Sequence, residues 1–389
     1  MNKYLLLALL AVWQPELLDA RPQPMTNLAS QESRTLTGGA QRQDASCKVA
    51  LEMTRSAKPA EALPYLSSCQ QFLAKSTDAG INPLRWEIAK ALLTLERFTE
   101  AASLLETIQD ESQEGTRQKL LGLCYAKSSR VDDAMQCFGR AISLNPQDAE
   151  ARFNLGVLLS EGKKVDQALT HLGEAVNLSP AEAKYSLALA EALIEDKRYS
   201  IAVEFLNAVR TRFETLGQFH YTLGLAYYGQ RNAPSAIAEM QRATELEPRM
   251  EAAFYFLGNT YALAEQYEKA FEAYRQAIEL NPNHAPYYRR MVLVAEKLAN
   301  SEEVIRSLRE VVRLDPDDVV SQLNLAKALS KKGRLSEAIE QLQAAVKKAP
   351  DYKEAYYLLS SYSRQSGDIK AADSYIESYR QLVNKPPAK

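Results

Sequence analysis

Residues 270–288 read AFEAYRQAIELNPNHAPYY. From Ala270 to Leu280 apolar side chains return every three or four positions, which lines one face of an α-helix. Asn281-Pro282 then ends it. Proline has no N–H to donate to the preceding turn, its ring collides with the carbonyl four residues back, and it pushes Asn281 toward extended backbone. The chain repeats this abrupt stop. Prolines fall at positions 146, 180, 248, 282, 316 and 350, one constant interval apart except for a doubled gap after position 180. Each closes an apolar run: AISLNP, AVNLSP, ATELEP, AIELNP, VVRLDP and AVKKAP. The doubled gap is two periods with Glu214 at the skipped site, so that unit is degenerate rather than absent.

Alignment on the prolines brings other residues into register. Leu121-Gly122, Leu155-Gly156, Leu223-Gly224 and Leu257-Gly258 coincide, with Leu189-Ala190 and Leu325-Ala326 as small-residue versions. A large residue followed by a tiny one lets a second helix come close. That helix brings its own small residues: Ala134 and Ala141, Ala168 and Ala175, Ala236 and Ala243, Ala270 and Ala277, Ala338 and Ala345. Between them lie short polar turns such as KSSR, EGKK, YGQRN and KKGR. The unit is a helical hairpin, and the proline frees the chain to begin the next.

The chain resembles the tetratricopeptide repeat family. The family pattern is met best by Phe254, Leu257, Gly258, Tyr261, Ala270, Tyr274 and Pro282, and next by Leu121, Gly122, Tyr125, Ala134, Phe138, Ala141 and Pro146. Departures occur at Met291-Val292, at Val304 and Val311, and in the last unit at Leu359-Ser360 and Asn384. The resemblance implies an all-α fold, a right-handed superhelical solenoid of antiparallel helix-turn-helix repeats in which each hairpin covers the apolar stripe of its neighbours. Eight repeats are expected over 115–386, two degenerate hairpins over 46–114, and a tail at 387–389. No sequence signature of an attached catalytic domain accompanies them.

The start of the chain reads differently. MNKYLLLALLAVW has one lysine and then an apolar run of about ten residues, too short to span a bilayer comfortably, followed by Leu18-Asp19-Ala20. Residues 1–20 are therefore expected to be a cleaved signal peptide and 21–45, rich in Pro, Gln, Ser and Thr, a flexible leader. The mature protein is expected to be exported, periplasmic or secreted, without stable membrane insertion. The first cysteine is Cys47, so no lipid acceptor follows the apolar run. The composition is 46% hydrophobic and 25% charged with a formal net charge of -2, which offers no broad basic surface to nucleic acid.

Chemical motifs are missing. His171, His220 and His284 stand at unrelated repeat positions without a neighbour at metal-ligand spacing, and there is no Gly-x-Ser-x-Gly, phosphate loop or His-Glu-x-x-His. No enzyme, catalytic residue, metal or cofactor is expected. The carboxylate clamp known in the family is not assembled, because Lys119 is followed by Leu123 and Asn259 shares its stripe with Tyr255. An asparagine ladder has only Asn154 and Asn324.

Two structural expectations remain. Residues equidistant from a hairpin turn face each other, and the midpoints of Cys47/Cys69 and Cys124/Cys137 fall at predicted turns. Two intra-hairpin disulfides are expected in an oxidising compartment; the alternative is that the cysteines are free small apolar groups. The second expectation concerns binding. Leu223, Gly224 and Tyr227 belong to the packed stripe, so Tyr221, Leu225 and Tyr228 form another, facing the concave side. The same register selects Phe153 and Val157, Leu187 and Ile194, Tyr255 and Asn259, then Arg289, Leu293 and Glu296, and finally Leu323 and Lys327. These residues are expected to bind an apolar protein or peptide segment, the alternative being that they pack against the adjacent hairpin. The function expected is a non-catalytic interaction scaffold outside the cytoplasm. The alternative is a structural subunit of a cell-envelope assembly acting through self-association.

Overall fold

The computed structural model describes Cys47, Lys48, Leu51, Glu52 and residues 59–75 and 79–384. The expected signal peptide, leader and tail lie outside the described residues. Every regular element among the described residues is helical. The chain divides into two compact units, residues 1–196 and 197–389.

The first unit contains α1 (Pro59–Lys75), α2 (Asn82–Thr94), α3 (Phe98–Leu105), α4 (Glu114–Lys127), α5 (Val131–Leu144), α6 (Ala149–Glu161), α7 (Val165–Leu178) and α8 (Ala183–Glu195). The second contains α9 (Tyr199–Phe213), α10 (Gly217–Gly229), α11 (Ala233–Leu246), α12 (Glu251–Leu263), α13 (Tyr267–Leu280) and α14 (Ala285–Lys297). It continues with α15 (Ser301–Leu314), α16 (Val319–Lys331), α17 (Leu335–Lys348), α18 (Lys353–Gln365) and α19 (Ile369–Asn384). Helices pair as hairpins, α2–α3, α4–α5 and α6–α7 in the first unit and α10–α11 through α18–α19 in the second. The first helix of a hairpin is called A below and the second B.

The turns inside the hairpins share one device. A single residue occupies the left-handed region at Glu96, Ser129 and Lys163 in the first unit, and at Arg231, Glu265, Ala299, Gly333 and Gly367 in the second; Lys197, which follows α8 in the chain, has the same conformation. From Ser129 onward these positions recur with the same period as the prolines. At Ala299 the pattern of bonds is that of a Schellman stop: Asn300 N–H reaches back to the Ala295 carbonyl at 2.8 Å and Ala299 N–H to the Glu296 carbonyl at 3.1 Å. Asn300 then opens the next helix, its side-chain oxygen accepting from Glu303 N–H at 3.2 Å. One residue thus closes α14 and caps α15.

Small residues set the spacing of the helices. A Cβ on Gly122 would lie 2.7 Å from Phe138 Cε1, and one on Gly258 would lie 2.6 Å from Tyr274 Cε1, so hydrogen is the only substituent that fits without movement. The paired alanines from Ala134 to Ala345 are fully buried, and Val304 and Val311 occupy the equivalent places in α15 and are buried too. The unit lacking its proline stops by other means. Glu214 stays in helical conformation after α9, the chain becomes extended at Leu216, and the buried His220 donates from Nε2 to the Glu214 carbonyl at 2.8 Å. His220 Nδ1 lies 2.7 Å from Glu239 Oε2, which ties the start of α10 to α11.

A disulfide joins Cys47 and Cys69, whose Cα atoms are 5.5 Å apart. The bridge expected between Cys124 and Cys137 does not form, and both thiols are free and buried. Facing positions on two helices are not close enough by themselves. A disulfide needs Cα atoms within about 7 Å and Cβ vectors aimed at each other, and facing a common turn guarantees neither. In α4–α5 the Phe138 ring lies directly against Gly122, beside these two thiols in the chain. Burial pushes the Cys124 thiol up to about 12.

Candidate functional site

The residues expected to line a groove fall in both units. In the first, Phe153 and Val157 on α6 and Leu187 on α8 are buried, and Ile194 is half-buried. Nothing from Phe153 through Leu159 is exposed. The Phe153 ring packs on Tyr185 of α8 with centroids 5.0 Å apart, so the A helices of successive repeats cover each other. Phe153, Val157 and Leu187 therefore form packing rather than a free face. Their register was read from the spacing of core residues, which cannot say how closely the next A helix approaches.

In the second unit the same register is covered in part. Tyr221 is only 6% exposed, with its ring 6.0 Å from Phe256 in an edge-on arrangement. Asn259 is buried and accepts a hydrogen bond from the Tyr274 hydroxyl at 2.9 Å. These two residues hold α10, α12 and α13 together and are not available to a ligand. Leu225, Tyr228 and Tyr255 are half-exposed. Arg289 is committed elsewhere, pairing with Asp315 at 2.7 Å and Asp318 at 3.0 Å. Burial opposes its charge, but the hydrogen bonds to Asp318 and Asp315 outweigh this and raise its pKa. Asp318 also caps α16, accepting from Ser321 N–H at 2.9 Å, so Arg289 fastens α14 to the start of that helix.

Phe256 is the hub that the sequence reading missed. It is half-exposed, and its ring meets Tyr221, Tyr228 and Tyr255, the last with centroids 5.2 Å apart. Tyr255 in turn stacks at 5.0 Å on Tyr287 of α14, and Tyr287 at 4.3 Å on His284. The cluster carries aromatic groups from α10 across α12 to α14, and its outer members remain open to solvent. Arg290 lies at its edge, exposed, with its pKa raised chiefly by a hydrogen bond to the Tyr255 hydroxyl.

The uncovered face of these A helices keeps Leu293 and Lys327 of the expected register and otherwise follows residues one position beyond it. On α12 it passes Phe256 and Leu263, on α14 Arg290, Leu293 and Lys297, and on α16 Asn324, Lys327 and Lys331. Corresponding members are one repeat period apart, and those on one helix are separated by three, four or seven places, which is a single helical stripe. Leu263 and Leu293 are 42% and 52% exposed, whereas Leu257 on the packed side of α12 is 6% exposed. The signal was present in the sequence as Phe256/Arg290/Asn324 and Leu263/Lys297/Lys331. It carries no hydrophobic periodicity, and so it stood out only once burial was known.

Among the described residues no group of three His, Cys, Asp or Glu side chains is placed to hold a metal ion. No helix among them is long and apolar enough to cross a membrane. His171 and His284 are held toward their neutral forms mainly by burial.

Residues 252–284 and 300–362 match the family described as tetratricopeptide repeat, and residues 122–162 match one described as TPR repeat. The chain is a tetratricopeptide repeat protein with an all-α helical-repeat fold. Among solved structures it is similar to YrrB, described as a TPR protein with an unusual peptide-binding site, at 18% identity and a TM-score of 0.40 over 46% of this chain and 91% of that one. It is also similar to MamA from Desulfovibrio magneticus RS-1, at 21% identity and a TM-score of 0.40 over 43% and 96%. Human IFIT1, solved as a dimer with m7Gppp-AAAA, is 12% identical over 88% of this chain and 90% of its own, with a TM-score of 0.43. No curated protein matches the sequence.

Proposed function

We propose that the protein is a non-catalytic interaction scaffold that works outside the cytoplasm and holds a segment of a partner protein on the A-helix face of its second unit. Proteins built from this repeat serve as interaction scaffolds, which sets the class. The observation that carries the reading is the half-open cluster of Tyr228, Tyr255 and Phe256 with the exposed Leu263 and Leu293 beyond it. Aromatic side chains give large contact area with little rotamer entropy to lose, and apolar groups left together on a surface mark contact sites. The Cys47–Cys69 disulfide and the apolar run at the start of the sequence support export to an oxidising compartment. The test is affinity capture from the native cell envelope with the wild type and with a Tyr228→Ala, Tyr255→Ala variant. A partner lost from the variant, while its melting curve still shows a folded array, supports the reading. A partner retained at wild-type level overturns it.

A second reading, self-association within an envelope assembly, is favoured by α19. Only Ala372 of this helix is buried, and Ile369 and Val383 are 51% and 47% exposed. Light scattering on the purified protein distinguishes a monomer from an assembly built through that face.

A further inference from the structure

The uncovered stripe of the second unit changes character along its length. At α12 it is apolar, with Phe256 and Leu263; at α14 it is Arg290, Leu293 and Lys297; at α16 it is Asn324, Lys327 and Lys331. Lys327 is neutralised by Glu354 at 2.6 Å. Lys297 and Lys331 are exposed and have no ion pair among the described residues. Arg290 is exposed and stands beside the Tyr255 hydroxyl at the edge of the aromatic cluster. The exposed carboxylate on the face of α14 is Glu296. Arg289 adds nothing to this surplus because Asp315 and Asp318 already compensate it. An apolar platform that gives way to uncompensated cations therefore stands on a chain whose formal net charge is -2.

We propose that the segment held by this face is apolar at one end and acidic at the other. Its aromatic or aliphatic side chains rest on Tyr255, Phe256 and Leu263, and its Asp or Glu side chains lie against Arg290, Lys297 and Lys331. The inference rests on the groove reading and sharpens it. The rings set where the segment binds. The cations set which way round it lies, because reversing the segment would put carboxylates on the rings and apolar groups among charges. Arg290 takes the central place, since a planar guanidinium beside a ring can meet a carboxylate through two parallel N–H bonds.

The experiment is selection of a random-peptide phage library on the full chain, with the selected peptides then synthesised and titrated by fluorescence anisotropy. Peptides with a cluster of aromatic or aliphatic residues flanked on one side by Asp or Glu are expected. Their Kd should rise about tenfold or more for an Arg290→Gln, Lys297→Gln, Lys331→Gln variant, and should weaken as salt is raised from about 0.05 to 0.3 M. Circular dichroism of that variant should match the wild type, because all three side chains are exposed. Selected peptides without acidic residues, bound equally by wild type and by this variant but lost with Tyr255→Ala, Phe256→Ala, would overturn this inference and leave the groove reading standing. Peptides indifferent to both variants, or no enrichment over a blank support, would overturn both. Binding of phosphatidylglycerol vesicles or an RNA oligonucleotide through the same cations, without selection of acidic peptides, would also sink the proposal.

Discussion

The hydroxyl of Tyr274 donates to Asn259 Oδ1 at 2.9 Å while the ring of the same side chain lies against Gly258. One residue of α13 thus fixes both the distance and the rotation of α12. Removing the hydroxyl with Tyr274→Phe strands a buried acceptor and should cost about 1–3 kcal/mol. Adding a methyl with Gly258→Ala forces the ring aside and should cost about 1–3 kcal/mol. Urea unfolding of both variants and of the double variant checks this. Because the two changes act on one side chain, the double variant should fall short of their sum.

The left-handed turn residues give a second prediction with two signs. Ala299 has φ 54° and Gly333 has φ 74° with nothing within 4 Å of a Cβ built there. A side chain in that region costs about 1 kcal/mol, less the extra chain entropy that glycine loses on folding. Ala299→Gly should therefore stabilise by a few tenths to about 1 kcal/mol, and Gly333→Ala should destabilise by a similar amount. Thermal melts that move in one common direction for both changes would contradict the turn geometry.

Cys47 and Cys69 are 22 residues apart, and closing a loop of that size stabilises by roughly 3 kcal/mol in the chain-entropy account. Reduction should loosen the hairpins nearest the bridge first, because repeat stacks couple mainly between neighbours. Limited proteolysis with and without dithiothreitol should then show new cuts confined to residues before α4. Cys124 and Cys137 should resist a thiol reagent in the native protein and react after denaturation.

Alkaline pH should open the array. Burial pushes the Cys124 thiol up to about 12 and also raises the phenols of Tyr185, Tyr274 and Tyr287. A proton held more tightly in the folded state gives stability that is intact below the unfolded pKa, near 9 for the thiol and 10 for a phenol, and is lost as pH rises from there through the folded value. Urea midpoints should be insensitive to these groups at neutral pH and fall above about pH 9. Tyrosinate absorbance of the buried rings should appear together with loss of helical circular dichroism. Full ionisation with helix intact would refute the burial argument.

The fold was legible because its signals are chemical necessities. A proline must stop a helix, and a glycine facing Phe138 or Tyr274 must be small, so Pro146 and Pro282 or Gly122 and Gly258 announce themselves in the sequence. The turns were less legible, since Glu96, Ser129, Lys163 and Arg231 adopt positive φ without any residue preference that advertises it. The open face was legible in part: Tyr228, Tyr255, Leu293 and Lys327 belong to the expected register, while Phe256, Arg290 and Asn324 lie one position beyond it. Core spacing identifies the stripe that must be buried, but Phe153 and Tyr221 were covered by the next A helix, a fact that depends on how tightly repeats nest. The hairpin argument for cysteines gave which residues face each other without giving the gap between them, and the gap decides whether a bond can form.

The recurring left-handed turn gives the second unit interchangeable joints. Arg231, Glu265, Ala299, Gly333 and Gly367 present the same backbone conformation at equal intervals along the chain. A splice from one of these joints to another rejoins the chain at matching angles and removes or inserts whole hairpins. The length of the second unit is therefore set by counting cassettes rather than by reshaping any one of them.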